Sequence, residues 1–487
     1  MDFKVPNEVS NVTAKLRDAG FEAYLVGGCV RDLILGRDPK DWDVTTNAKP
    51  QEIQRVFPES FYENDFGTVG IKTDSRAPRL AVIEVTPYRT EAGYSDKRRP
   101  DTVIFGNSLE EDLARRDFSI NALAFDDSKG HIVDPYAGQK DMELKVLRTV
   151  GDPETRFEED ALRLMRAVRF VAELGFALDA NTAKALQEKA SNLGHISKER
   201  IRDEFVRILM SDQPMLALGL ARQLGLLELI VPDLIRGIGI DQNQAHSYTV
   251  FEHNLRALQH AADKGWDLDT RISALFHDIS KPETRRWSDE KNDWTFHGHE
   301  VVGSRVTKRA LQDLRFSRET IEKVSKLVRW HMFFSDPDQI TLSAVRRMIR
   351  NVGEENIWDL LNLRICDRIG TGRPKEQPFR FRKYKAMVEE ALRDPISVKM
   401  LKIDGNILMN QLHVQPGPRI GWVLSALLEE VLEDPTKNTD EYLQTKAAEL
   451  LELSNEELRA RGDEGRKKKA EREEAELEAI LKRHKVS

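Results

Sequence analysis

Residues 25–46 read LVGGCVRDLILGRDPKDWDVTT, and the order of these residues decides the architecture of the N-terminal region. Phe21-Glu22-Ala23-Tyr24-Leu25-Val26 is a short, mostly apolar run and is predicted to be a strand. Gly27-Gly28 ends it, and Val30 to Leu35 is predicted to be a helix. Two glycines after a strand let the backbone pass close to a phosphate, and the N–H groups opening the next helix can face an anion. Arg31, in that helix's first turn, can bind a phosphate oxygen. Asp41 and Asp43 stand two apart, so on a strand both carboxylates fall on one face and can share hard cations such as Mg²⁺. Two such cations can activate an attacking hydroxyl and neutralise a leaving pyrophosphate. Gly-Gly alone or Asp-x-Asp alone is a weak signal and is commonly a solvated turn. The two together, with Arg31 and Asp32 between them, point to phosphate chemistry.

Outward from this stretch, Val9 to Ala19 is amphipathic, and Thr68–Lys72, Ala81–Thr86 and His131–Val133 are predicted strands. Strands then cease. From about Phe157 onward apolar residues recur at spacings of three and four, punctuated by Pro232, Pro282, Pro337, Pro378 and Pro416-Gly417-Pro418. The predicted class is α+β: a head with a mixed β-sheet, then a long all-α neck, body and tail. No repeat of 20–50 residues is present. The 487 residues exceed one core and imply about three or four domains. There are 75 Lys+Arg against 82 Asp+Glu, a net charge of −7, which argues against nonspecific coating of DNA. Any nucleic-acid site must therefore cluster its basic residues. One cluster is Arg373, Lys375, Arg380, Arg382, Lys383 and Lys385, interleaved with Phe379, Phe381 and Tyr384. It reads either as an RNA contact or as a basic helix face packed on its own aromatics. A second is Lys198, Arg200, Arg202 and Arg207. The charged last 30 residues are predicted to form a solvated helix. No apolar run reaches membrane-spanning length, and the N-terminus has no signal-peptide pattern. Cys29 and Cys366 are too few and too far apart for a disulfide framework. A cytoplasmic protein is expected.

Further segments follow in order: DLARRDFSINALA (Asp112 to Ala124), DPYAGQKD (Asp134 to Asp141), EDALRLMRAVRF (Glu159 to Phe170) and KERIRDE (Lys198 to Glu204). With residues 25–46 these resemble five motifs of the class II template-independent nucleotidyltransferases. That family comprises bacterial and eukaryotic tRNA CCA-adding enzymes and bacterial poly(A) polymerases. The resemblance spans about half the chain. It implies Asp41 and Asp43 as the catalytic, Mg²⁺-holding carboxylates. It implies Gly27, Gly28, Arg31, Arg116, Asn121, Asp160, Arg163, Arg166 and Arg169 as nucleotide contacts. The implied partners are the tRNA acceptor end, CTP and ATP, with pyrophosphate released; no membrane and no protein partner is implied. Phe170 to Phe176 resembles the CCA-adding branch. Tyr88 to Pro100 resembles the flexible loop of full CCA-adding and A-adding enzymes, so CC-only addition is disfavoured. An A-adding enzyme or poly(A) polymerase is the alternative within the family.

Asp160 and Arg163 are three apart and on one helix would be neighbours. The Asp accepts hydrogen bonds and the Arg donates them. Cytosine and adenine both offer an amino donor beside a ring-nitrogen acceptor, whereas guanine and uracil offer the reverse. Two buried mismatches at roughly 1–3 kcal/mol each give about 100-fold discrimination or more. The pair can thus select C and A without a template.

The helical region contains His253, His277-Asp278, His299, His331 and Asp367 in that order. This order resembles an HD-type metal phosphohydrolase. The resemblance implies one metal held by His253, His277, Asp278 and Asp367, and a second by His299 and His331 with Asp278. Imidazoles suit Mn²⁺ or Ni²⁺, among other transition metals, and a carboxylate can bridge two ions. The implied substrates are phosphate monoesters or 2′,3′-cyclic phosphates. The expected domains are a nucleotidyltransferase head (1–147), a nucleotide-recognition and RNA-binding neck (148–232), an HD-type domain (233–372) and an RNA-binding body and tail (373–487). Two readings of other classes are a metal phosphohydrolase with a non-functional head, and an RNA-binding scaffold. The intact Asp41/Asp43 pair disfavours the first, and two complete ligand sets disfavour the second.

Overall fold

The computed structural model describes residues 3–62, 67–92, 102–106, 108–243, 247–333, 340–393, 398 and 401–486. The chain forms two compact units. One is Met1–His331 with Asn362–Pro374, and the other is Met332–Leu361 with Lys375–Ser487.

The first unit opens on a mixed sheet. Its strands are β1 (Ala23–Val26), β2 (Asp43–Thr46), β3 (Ser60–Tyr62), β4 (Val69–Lys72) and β5 (Val82–Pro87). β6 (Arg89–Ala92) and β7 (Thr102–Phe105) form a separate antiparallel ribbon, and β8 (Ala124–Asp126) and β9 (His131–Val133) complete the sheet. The seven-strand order is β3-β4-β5-β2-β1-β8-β9. Neighbours are antiparallel except β2 and β5, which run parallel with Asp43 opposite Glu84. Asp43 therefore opens a strand at the middle of the sheet, while Trp42 and Val44 on either side are buried. The strands read from sequence are present within one or two residues. β3, β6, β7 and β8 were not anticipated, because three or four residues are too few to show alternation. Residues 93–100 of the expected flexible loop lie outside the described residues.

Two expectations about the helical region need correction. Strands do not cease: Val146–Leu147 pairs parallel with Ala177–Leu178, and Arg286–Ser288 pairs antiparallel with Asp293–Thr295. Such short pairs leave no periodic trace. Nor is Glu159 to Phe170 one helix. Pro153–Glu159 ends at Asp160, whose backbone is extended (φ −139°, ψ 102°), and Leu162–Leu174 starts anew. The Asp160 carboxylate accepts from Leu162 N–H at 3.0 Å, and its carbonyl accepts from Arg163 N–H at 3.0 Å. An aspartate that satisfies opening N–H groups favours a new helix start over continuation. Leu162–Leu174 is buried almost all round and packs against Lys198–Met210 and Pro214–Gln223.

In the second unit the basic, aromatic helix Phe379–Leu392 uses two of its three aromatics for its core. Phe381 and Tyr384 are buried, and the Phe333 ring stacks on Tyr384 with centroids 5.2 Å apart. Phe379 alone of the three is exposed. The terminal helix Asn455–Arg483 is more than a solvated rod. Gly462 and Gly465 bring its backbone against Trp422 and Ser425 of the helix Pro418–Glu433, and a Cβ at Gly462 would lie 2.8 Å from Trp422 Cα.

Candidate functional site

The Gly-Gly turn opens a polar cavity of about 440 Å³ between the sheet and the first helices of the neck. Gly27 has φ +79°, a conformation that favours glycine, and a Cβ there would lie 2.9 Å from Arg116 Nη1 and displace that guanidinium. Gly28, Arg31, Asp43, Arg116 and Asn121 line the cavity from the head. Asp160, Arg163, Arg166 and Arg169 line it from the neck. Asp41 does not line it; it is exposed, two residues ahead of β2.

Partners inside the chain hold these side chains in place. Arg31 Nη1 donates to Asn121 Oδ1 at 2.8 Å, and its Nε and Nη2 donate to Asp32. Asn121 Nδ2 donates to Asp117 Oδ1 at 3.1 Å. Asp117 also receives Arg166 Nε at 2.7 Å and Nη2 at 2.6 Å. Burial pushes the Asp117 carboxyl up, but Arg166 and Asn121 outweigh it and lower it to about 2. Asp112 is buried with Arg115 at 2.7 Å and Arg116 at 3.2 Å, and these guanidiniums hold it below the usual range against its burial. Arg169 donates to Glu204 at 2.7 Å and to Glu173 at 3.0 Å, and stacks on Phe170.

Asp160 and Arg163 reach the same cavity by a route other than a shared helix face. Arg200 grips Asp160 with two N–H groups, at 2.8 and 3.2 Å. Arg163 donates to Glu159 at 2.5 Å and to the carbonyls of Arg156 and Arg115 at 3.0 Å. Their side chains are thus oriented by partners within the chain. Sequence reasoning missed Arg115 and Asp117 in the second motif as lining residues, and it placed Arg200 and Arg207 in a general basic group. It also did not single out Glu84, which does not line the cavity but which the β2–β5 register sets beside Asp43 on the same side of the sheet. Hard carboxylate oxygens at this strand head suit Mg²⁺.

The histidines form a second centre in the same unit. His253, His277, Asp278 and Asp367 offer ligand atoms within 4.8 Å of one another, and so do Asp278, His299 and His331. Asp278 Oδ2 lies 3.1 Å from His253 Nε2 and 3.3 Å from His277 Nε2. Its Oδ1 lies 3.2 Å from His299 Nε2 and 3.6 Å from His331 Nε2. Nδ1–H of His277, His299 and His331 donates to the carbonyls of Ala274, Phe296 and Val328 at 2.6–2.8 Å. Each bond fixes a tautomer that turns Nε2 inward as a ligand, the outer arrangement metal-binding imidazoles require. Burial works against a charged His277, but Asp278 and Asp367 raise it to about 10; burial and neighbouring imidazoles lower His331 to about 4. Lys281 Nζ is 2.6 Å from Asp278 and donates to Gln242 at 2.7 Å. The donor set fits two transition-metal ions bridged by Asp278.

Gly370 lets the helix Ile357–Gly370 approach this centre. A Cβ there would lie 2.9 Å from both His253 Nδ1 and the His253 carbonyl oxygen. A backbone atom cannot swing away, so Gly370→Ala should weaken metal binding about 10- to 100-fold. Metal titration of the purified variant reads this out, and unchanged affinity would refute it.

Relatives match over about nine-tenths of the chain. A CCA-adding enzyme of Lactiplantibacillus plantarum is 33% identical over 442 residues, covering 90% of this chain and 94% of the relative. The chain belongs to the CCA-adding enzyme family. A second CCA-adding enzyme, from Ligilactobacillus salivarius, is 31% identical over 92% of this chain and 98% of its own. Family models match residues 23–148 as the poly(A) polymerase head domain, 175–237 as the RNA- and SrmB-binding site of polymerase A, and 285–447 as tRNA nucleotidyltransferase domain 2. The crystal structure of the Bacillus stearothermophilus CCA-adding enzyme in complex with CTP superposes with a TM-score of 0.60 at 27% identity, covering 91% of this chain and 98% of that one. The family's class is template-independent nucleotidyl transfer, and the chain is an enzyme of that class. Among the described residues no helix is long and apolar enough to cross a membrane.

Proposed function

We propose that the chain adds C, C and A to tRNA 3′ ends from CTP and ATP and releases pyrophosphate. The observation that carries this reading is the cavity itself, which gathers Asp43 with Arg116, Asn121, Asp160 and Arg163. Arg31, Arg116 and Asn121 bind the triphosphate, and Gly27-Gly28 let it approach the backbone. Asp41 and Asp43, with Glu84 beside Asp43, would hold Mg²⁺, which when bound would supply activation of the RNA 3′-hydroxyl and charge neutralisation on the leaving pyrophosphate. Asp160 and Arg163 read the base edge; Arg166 and Arg169 brace the neck against Asp117 and Glu204 while facing the nucleotide. The neck helix carrying Lys198, Arg202 and Arg207 contributes backbone contacts to the acceptor arm. We assign residues 1–147 as head, 148–232 as neck, 233–372 as the metal domain and 373–487 as body and tail. Cys29 and Cys366, both buried and neither in a disulfide, support a cytoplasmic, reducing location. The deciding assay supplies each NTP singly to tRNA lacking CCA, tRNA ending in CC and an unrelated RNA. Full CCA addition requires C on the first and A on the second. A on every RNA would instead identify a poly(A) polymerase.

Base choice should depend on the Asp160/Arg163 pair. Asp160→Ala and Arg163→Ala should each raise UTP or GTP use relative to CTP and ATP by about 10-fold or more, since one mismatch penalty is removed. Four-nucleotide competition on one tRNA measures it, and unchanged selectivity in both variants would sink the template-free reading.

We further propose that the histidine centre is a metal-dependent phosphohydrolase acting on RNA 3′ ends. Transition-metal ions such as Mn²⁺ or Ni²⁺ would supply an activated water there. Attack of water on phosphorus breaks one ribose P–O bond of a 2′,3′-cyclic end, and the departing oxygen takes the proton. A second hydrolysis of the monoester leaves a ribose hydroxyl and inorganic phosphate. Asp278, common to both ligand groups, would help to hold both ions. Lys281, held by Gln242, sets a cation beside the incoming phosphate. The support is the converging ligand geometry, and the product is the 3′-hydroxyl that nucleotide addition needs.

A further inference from the structure

The histidine centre has an aromatic neighbour that its ligand chemistry leaves unused. In the hairpin of Arg286–Ser288 and Asp293–Thr295, Trp287 stands opposite Trp294. The two indoles meet edge to face, with centroids 5.2 Å apart. Arg285 lies over Trp294, 3.7 Å from the ring centroid, and its buried Nε has no hydrogen-bond partner among the described residues. A cross-strand aromatic pair steadies a hairpin, and that accounts for Trp294. It does not account for Trp287, which leaves 49% of its surface in water. A β-branched residue would hold the strand with far less apolar exposure.

Both ends of the hairpin are tied to the centre. Before it, Lys281 contacts Asp278 at 2.6 Å and lies 5.5 Å from the Phe296 ring centroid. After it, the Phe296 carbonyl accepts the Nδ1–H of His299 at 2.6 Å and so orients a ligand. Trp294 is five residues from His299, which limits their Cα separation to at most about 18 Å. Arg285 follows Lys281 by four residues and Trp294 precedes Phe296 by two, so the hairpin is carried by the two chain segments that touch the centre.

We propose that Trp287, backed by Trp294 with Arg285 over it, is a stacking platform for a nucleobase of the RNA end whose 2′,3′-cyclic or 3′-phosphate is hydrolysed at the histidine centre. This rests on the phosphohydrolase reading and names its substrate class as a base-bearing end, in place of phosphate esters at large. An indole face accepts every base, because each has a π surface, and the guanidinium adds attraction for the strand's phosphates. Such a platform suits a trimming site that must take any damaged 3′ end.

The test uses the full chain, wild type and Trp287→Ala, with Mn²⁺ and with Ni²⁺. One substrate is a short RNA ending in a 3′-phosphate; the other is glycerol 2-phosphate, an ester without a base. The variant should lose about 10- to 100-fold in kcat/KM on the RNA end and nothing on glycerol 2-phosphate. Trp287→Phe, which keeps a ring, should recover most of the loss. Binding of the same RNA, labelled at its 5′ end, to metal-free protein should weaken by a similar factor in a fluorescence-anisotropy titration. Unchanged RNA hydrolysis and binding in Trp287→Ala would overturn the platform while leaving the phosphohydrolase standing. Equal losses on both substrates would make the indole a structural part of the hairpin and also overturn it. If wild type hydrolyses neither substrate with either metal, the phosphohydrolase reading falls and the platform with it. If it hydrolyses only glycerol 2-phosphate, the platform alone falls.

Discussion

Asp43→Ala is expected to lower C and A addition to tRNA by about 10³-fold or more, with the fold and tRNA binding intact. Metal neutralisation of a developing phosphoryl charge is worth several kcal/mol, and each 1.36 kcal/mol is tenfold in rate. Asp43 sits at the head of β2 on the cavity wall, where no other described carboxylate lies closer along the chain than Asp41. Its side chain contributes little to the core. Trp42 and Val44, at 4% and 0% exposure, do the packing, and the strand is held by backbone pairing to β1 and β5. The neighbouring Cys29 does not become a substitute nucleophile. Burial above all, with the Asp43 carboxylate adding to it, pushes that thiol up to about 12. Without Asp43 burial still keeps it protonated at neutral pH. Asp41→Ala should give a comparable loss even though Asp41 is solvent-exposed. Single-turnover extension of tRNA ending in CC, with circular dichroism as the fold control, measures both variants. Wild-type rates in folded Asp41→Ala and Asp43→Ala proteins would remove these residues from catalysis.

How far the sequence speaks depends on whether a residue's partner is near it along the chain. Gly27 was legible because a strand must stop there, and the positive φ and the close approach of Arg116 supply the physical reason. The mixed head and helical remainder were legible because hydrophobic periodicity is local. Asp160 was legible as a cavity residue by its motif, but its actual setting was not. Periodicity predicts a continuous helix, whereas an aspartate that caps Leu162 and binds Arg200, forty residues on, makes a joint. The Asp43–Glu84 juxtaposition is a register between strands some forty residues apart, and no local pattern encodes it. Phe381 and Tyr384 show the opposite failure. Aromatics at helical spacing serve a core and a stacking surface alike, and only packing tells which.

At the histidine centre, replacing Asp278 is expected to empty the site while leaving nucleotide addition at its normal rate. Asp278 is the one residue common to both ligand sets, with Oδ2 toward His253 and His277 and Oδ1 toward His299 and His331. Removing one terminal ligand would weaken one ion, but removing the shared carboxylate deprives both. The choice of substitution matters. Asp278→Ala leaves Lys281 as a buried cation without its nearest carboxylate, a cost of about 3–5 kcal/mol that could unfold the domain. Asp278→Asn keeps the volume and an acceptor for Lys281, yet carries no charge to bridge two ions, so it separates metal loss from misfolding. The variant should bind less than one Mn²⁺ or Ni²⁺ per chain and lose hydrolysis of 2′,3′-cyclic or 3′-phosphorylated ends by about 10³-fold. Addition to a 3′-hydroxyl should persist, because among the described residues none of the six ligands lines the head cavity. Groups that share no partner contribute independently. Both activities are assayed on one preparation with Mg²⁺, Mn²⁺ and Ni²⁺, alongside metal analysis. Full metal occupancy in Asp278→Asn would show that the carboxylate does not bridge. Loss of nucleotide addition from a folded variant would show that the two centres are coupled, and the assignment of separate domains would fail with it.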